Sequence, residues 1–131
     1  MNHEETFGSF IREKRKVREY TLRGLADKLD LSPVHMSNLE NDRRAAPKEE
    51  VLERIANLLL LDKEEKIKLY DFAAKSKNMP SVALDLPEYI NQNELARVAL
   101  RTAKDVDATD EEWMEFITKL QARVRKGDED A

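Results

Sequence analysis

The chain has 131 residues, 40% hydrophobic and 38% charged, which suits one small domain, alone or with an appendage, under a heavily solvated surface. With 3 Gly and 4 Pro a turn-rich all-β fold does not fit, and with no Cys there can be no disulfide framework, thiolate metal site or cysteine nucleophile. The net charge of -4 argues by itself against a polyanionic partner, yet residues 1–45 carry nine Lys or Arg against eight Asp or Glu, and the remainder 14 against 19.

Any nucleic acid should therefore meet the first third of the chain, and the acidic remainder should serve another purpose. No apolar run approaches the ~20 residues of a membrane span, and the start, MNHEETFGSF, lacks the charged-then-apolar layout of a signal peptide. The cysteine-free composition suits a reducing compartment, so a soluble, cytoplasmic protein is expected.

In chain order, Phe7, Phe10 and Ile11, continued by Lys14 to Val17, follow a helical apolar spacing with a basic face interleaved. Thr21 is a good N-cap for a second helix with Leu22, Leu25, Ala26 and Leu29 on one stripe. Asp30-Leu31 is a very short connection. Ser32-Pro33 then opens a third helix, Ser as cap and Pro in the first turn, where its missing N–H is harmless. This helix, running to Asn41, should turn Met36 and Leu39 inward and Val34, His35, Ser37 and Asn38 outward or to its edge. NDRRAAP reads as a loop and Pro47 as the start of a fourth helix. Asp62 and Glu65 make a capping box for a fifth.

Residues 76–87, SKNMPSVALDLP, have two prolines and no helical period and read as a linker between a domain at 1–75 and a helical segment at 88–125. In that segment EYINQ is a helical turn, Asn93 caps a helix, and Thr109 with Glu112 forms a capping box for another. The last helix has Trp113, Phe116, Ile117 and Leu120 at i, i+3, i+4, i+7. Residues 126–131 read as a disordered tail. The expected fold is all-α: five helices forming a repressor-like helix-turn-helix domain, followed by a small C-terminal helical segment.

Two helices joined by a few residues, the second opening on Ser-Pro, are the physical form of a helix-turn-helix. DNA reading needs that form because the major groove admits one helix, whose outward side chains then touch base edges. The run from Phe7 to Leu61 resembles the helix-turn-helix domain of the XRE family, the phage-repressor and Cro-like regulators. The features that carry it are the FG–FIREKR opening, TLRGLADKLDLS, the MSNLE end of the third helix, and RRAAP followed by LERIANLL. The resemblance covers about residues 7–75.

What the resemblance implies is specific. Pro33, Val34, Ser37 and Asn38 stand at base-reading positions; Asn38 can pair bidentately with adenine and Val34 can pack on a thymine methyl. Thr21, Arg23, Ser32, Arg43 and Arg44 stand at phosphate positions. Arg15 and Glu40 match an ion pair tying the first helix to the third. Two departures count against strong phosphate anchoring. Asp30 and Asp42 occupy places where the family usually has Gly and bring negative charge toward DNA, and Leu22 stands where a contacting Gln is common.

The blander readings set limits. Met36 and Leu39 are core. His3 and His35 are the sole histidines and too few ligands surround either for a metal site, so no metal and no cofactor is expected. The basic face of the first helix would be a merely solvated face if it stood alone. Without a phosphate-cradling glycine loop or a nucleophile–base arrangement, no enzyme is expected. The Trp113, Phe116, Ile117 and Leu120 stripe either completes a core with Leu95, Val98, Ala99 and Leu100 or forms a seam with a second copy or a partner protein. The function expected is a transcriptional regulator, a repressor binding double-stranded DNA as a homodimer. The alternative is an antitoxin that neutralises a partner protein and represses its own operon.

Overall fold

The computed structural model describes residues 4–77 and 81–129, with side chains to Val124. His3 and residues 78–80 of the expected linker lie outside the described residues, as do the tail residues 130 and 131. The ordered elements are all helices: α1 Phe7–Val17, α2 Leu22–Lys28, α3 Pro33–Glu40, α4 Glu49–Leu58, α5 Lys63–Lys75, α6 Pro87–Gln92, α7 Glu94–Val106 and α8 Asp110–Glu129. They divide into two units, residues 1–87 and 88–131. The backbone at 126–129, read from sequence as disordered tail, continues α8.

Helix starts follow local hydrogen-bond chemistry. The Thr21 hydroxyl accepts the Gly24 N–H at 2.9 Å, and the Ser32 hydroxyl accepts the His35 N–H at 3.0 Å. Asp62 and Glu65 satisfy each other's backbone N–H groups at 2.8 and 3.0 Å, a complete capping box. A second box at the head of α1, Thr6 with Ser9, was not foreseen, because Ser rather than Glu or Gln stands three residues on. α4 starts at Glu49, not at Pro47. Lys48 is still extended (φ -64°, ψ 162°) and offers no side-chain cap, so the acidic Glu49 and Glu50 face the N-terminal dipole instead.

Helix ends are less usual. After α1, α2, α3 and α4 the chain turns left-handed at Glu19, Asp30, Asp42 and Leu60, with φ between 52° and 60°. In each case the next residue donates its N–H five residues back, as in Leu31 to Ala26 (2.9 Å) and Arg43 to Asn38 (2.9 Å). These are Schellman ends built without glycine, at a backbone cost of roughly 1 kcal/mol each.

The core of the first unit draws on every helix: Phe7, Phe10 and Ile11 from α1, Leu25, Ala26 and Leu29 at α2, Met36 and Leu39 from α3, Leu52, Ile55, Ala56 and Leu59 at α4, and Leu69, Tyr70 and Ala73 from α5, all buried. The described part of the expected linker is not free. Ala83 is buried in this core, Leu84 packs against it, and the Ser81 hydroxyl donates to Ala74 O at 3.1 Å. The stretch packs through Ala83 and Leu84 without any helical period.

In the second unit Asn93 caps α7 through the Ala96 N–H at 3.1 Å, and α7 ends at a left-handed Asp107. Thr109 and Glu112 form the box that opens α8. No described residue of this unit is buried.

α1 and α3 approach so closely that a Cβ on Gly8 would lie 2.4 Å from Glu40 O and 2.6 Å from Leu39 O. Both neighbours are backbone and cannot rotate away. Gly8→Ala should therefore cost about 2 kcal/mol or more in chemical denaturation. A loss under about 0.5 kcal/mol would show that the two helices can part without penalty.

Candidate nucleic-acid interface

α2 and α3 are joined by Leu29 to Ser32, with Leu31 partly buried beneath the turn. Met36 and Leu39 fix one face of α3 in the core at 0% exposure, so the opposite face is set by the 3.6-residue period. That face presents Pro33 and Val34, the latter 71% exposed, with Ser37 and Asn38 partly exposed at its edge. Thr21 and Ser32 stand at the starts of α2 and α3, hydroxyl oxygens engaged as caps. Arg23, Arg43 and Arg44 are exposed, and no ion pair involving them occurs among the described residues. His35 is only partly exposed. Its burial, then the Arg44 charge, lowers its pKa from the ordinary value, so it is neutral at pH 7.

The orientation of α3 is set from behind. Glu40 is buried, with its side chain 1% exposed, and Arg15 meets it with two parallel bonds, Nε to Oε2 at 2.7 Å and Nη2 to Oε1 at 3.0 Å. Arg15 Nη1 also donates to Tyr20 O at 2.9 Å, and the side chain is only 11% exposed, so most of this guanidinium is committed inside the domain. Arg12, assigned no role from sequence, adds a longer contact to Glu40 Oε1 at 3.4 Å and donates to Asn41 Oδ1 at 2.6 Å. A fork–fork arginine–carboxylate pair of this kind has both the strength and the geometry to hold one helix at a fixed angle to another.

The two aspartates expected to oppose DNA are both engaged. Asp42 turns back on α1: one carboxylate oxygen accepts the Gly8 N–H at 2.9 Å and the other the Thr6 hydroxyl at 2.6 Å. Its charge thus sits at the positive end of the α1 dipole. Asp30 lies 3.3 Å from the Arg54 guanidinium, which also donates to Lys28 O at the end of α2. Both carboxylates have partners that spacing alone could not reveal, 34 and 24 residues away.

The basic face of α1 is likewise occupied. Besides Arg12 and Arg15, Lys14 pairs with Glu65 at 2.6 Å across the Phe10 ring, and Arg18 donates to Leu59 O at 3.0 Å, closing the end of α4. These cations hold the domain together, so the basic side chains of residues 1–45 left facing outward are Lys16, Arg23, Lys28, Arg43 and Arg44.

In the second unit Trp113 packs edge-on to Phe116 at 6.1 Å between ring centroids. Phe116, Ile117 and Leu120 are exposed, as are Leu95, Val98 and Leu100. Of the two readings of this stripe, a core with α7 or a seam with a second copy or a partner protein, the first finds no buried core among the described residues of the second unit.

Residues 6–67 match the family model described as a helix-turn-helix domain, which spans α1 to the first turns of α5. No curated protein and no solved structure matches the chain. The first unit is thus a helix-turn-helix domain within an all-helical protein, the domain class of DNA-binding regulators. No helix among the described residues is long and apolar enough to cross a membrane.

Removing Arg15 leaves a carboxylate buried without its main counter-charge. Arg15→Met should cost about 3 kcal/mol, and Arg15→Met with Glu40→Met should recover most of it, because an apolar pair of similar volume leaves no buried charge. A double variant as unstable as the single one would mean that the pair is not what holds α1 to α3.

Proposed function

We propose that this protein is a sequence-specific transcriptional regulator of the XRE, phage-repressor-like type, a repressor that binds an inverted-repeat operator as a homodimer in the cytoplasm. The observation that carries this reading is the two-sided character of α3. Its inner face is anchored by Met36, Leu39 and the Glu40–Arg15 pair, and its outer face offers Pro33, Val34, Ser37 and Asn38. Val34 offers an apolar surface to a thymine methyl, and Asn38 a donor–acceptor pair suited to adenine. Thr21, Arg23, Ser32, Arg43 and Arg44 hold the phosphates on either side and set the register of α3 in the groove.

Dimerisation is supported by the second unit. Its apolar stripe of Trp113, Phe116, Ile117 and Leu120 has no cover from the α7 residues, and an eight-residue recognition helix makes a small interface alone. A second copy covers the stripe and supplies a second half-site with the same two-fold symmetry. A toxin-like partner protein in place of the second copy is the competing reading, and it predicts a different stoichiometry.

The test is selection of random duplex DNA by the purified full-length protein at moderate salt. The expected result is a two-fold symmetric motif with half-sites about one helical turn apart. In the same format Val34→Ala and Asn38→Ala should relax the motif, while Arg43→Ala with Arg44→Ala should weaken binding to all sequences and reduce its salt slope by about 2. Absence of any enriched motif, or alanine variants at Val34 and Asn38 that lose affinity equally on every sequence, would overturn the base-reading assignment.

A further inference from the structure

Along α8, Trp113, Ile117, Leu120 and Val124 follow one another at intervals of 4, 3 and 4, the seam of a two-helix coiled coil, with Phe116 at its flank. All but Trp113 are exposed, and among the described residues α7 does not pack along α8. A lone helix of 20 residues is marginal in water, so α8 depends on a neighbour. The interval reads the same from either end, so the apolar seam alone accepts a neighbour running in either direction. The charges are not symmetric. Residues 110–116 hold four anions, Asp110, Glu111, Glu112 and Glu115, and no cation. Residues 119–126 hold four cations, Lys119 and Arg123 among them, and no anion. The helix dipole favours such charges only in the first and last turns, and Glu115, Lys119 and Arg123 lie outside both.

We propose that α8 is complementary to itself: the α8 of a second copy lies along it in the opposite direction, about a two-fold axis that crosses between Ile117 and Leu120. This rests on the reading of the protein as a homodimer and adds which helix forms the seam and how it runs. In this arrangement Ile117 of one copy is level with Leu120 of the other. Trp113 is level with Val124, a large side chain against a small one. The anionic half of each helix lies beside the cationic half of its partner, and the two helix dipoles oppose each other. A pair running in the same direction would bury the same stripe but set four anions beside four anions and four cations beside four cations, which is unfavourable at both ends. The surface is isologous, as a closed two-fold dimer requires, so each copy gives the other the same patch.

The chain has no cysteine, so single substitutions can carry spin labels without a background. Glu111 and Thr118 are exposed, stand off the stripe, and are seven residues apart, hence on one side of α8. Full-length Glu111→Cys and Thr118→Cys, each nitroxide-labelled, are compared by pulsed electron resonance after sedimentation has established the oligomeric state of each. With the axis between Ile117 and Leu120, the two Thr118 labels are offset by about 2 Å along the helices and the two Glu111 labels by about 22 Å. The label-to-label distance should therefore be about 10 Å longer at Glu111 than at Thr118. Equal distances at the two positions in a dimer would overturn the opposed direction while leaving the homodimer. A dimer whose labels at both positions are too far apart to couple would remove α8 from the seam. A protein that sediments as a monomer, unlabelled and labelled alike, would overturn the homodimer reading and this proposal with it.

Discussion

The contact on which the rest of the first unit depends is the buried bond between Arg15 of α1 and Glu40 at the end of α3. A carboxylate at 1% exposure is tolerable only with its charge matched and its lone pairs used, and both conditions are met from α1. Gly8 allows the two backbones to come close enough for the pair to form, and Asp42, two residues past the end of α3, reaches back to cap α1. Each helix thus completes the hydrogen bonding of the other's terminus. The outcome is an α3 whose angle is set by directional bonds at one end and by Met36 and Leu39 along its length, rather than by apolar packing alone, which would tolerate sliding.

The same economy governs the charges. A chain of net charge -4 presents cations beside α3 although its first 45 residues hold a surplus of only one. Four of the basic residues, Arg12, Lys14, Arg15 and Arg18, are engaged within the fold, Arg12, Arg15 and Arg18 donating to backbone carbonyls near helix ends. Asp30 and Asp42 are engaged as well. What faces outward near α3 is therefore decided by which charges find internal partners, not by the count along the chain. With burial holding His35 neutral, the outward positive charge of this part of the chain belongs to Lys16, Arg23, Lys28, Arg43 and Arg44.

Helix starts and the apolar stripes were legible in the sequence because their chemistry is local: Thr21, Ser32, Asp62, Asn93 and Thr109 each reach a backbone N–H a few residues ahead. Helix ends were harder to read. Glycine is their usual mark, and here Glu19, Asp30, Asp42 and Leu60 adopt the left-handed turn instead. The packing of Ala83 and Leu84 was missed because a non-helical segment can still bury apolar side chains without showing any period. The roles of Arg12, Asn41 and Asp42 were out of reach for a different reason. Their partners are 28 to 36 residues away, which local spacing does not show. In the second unit the amphipathic pattern marked the apolar stripe correctly but carried no information on what covers it.

The central claim is that one face of the first unit, built on α2 and α3, meets DNA while α1 supports it from behind. Amide resonances of the labelled protein, followed as a selected duplex is added, test this most directly. The account predicts the largest changes at Thr21 to Gly24, Ser32 to Asn38 and Arg43 to Arg44, with α5, α7 and the exposed side of α1 little altered. Changes centred on α4, α5 or the second unit, with Ser32 to Asn38 unmoved, would contradict it.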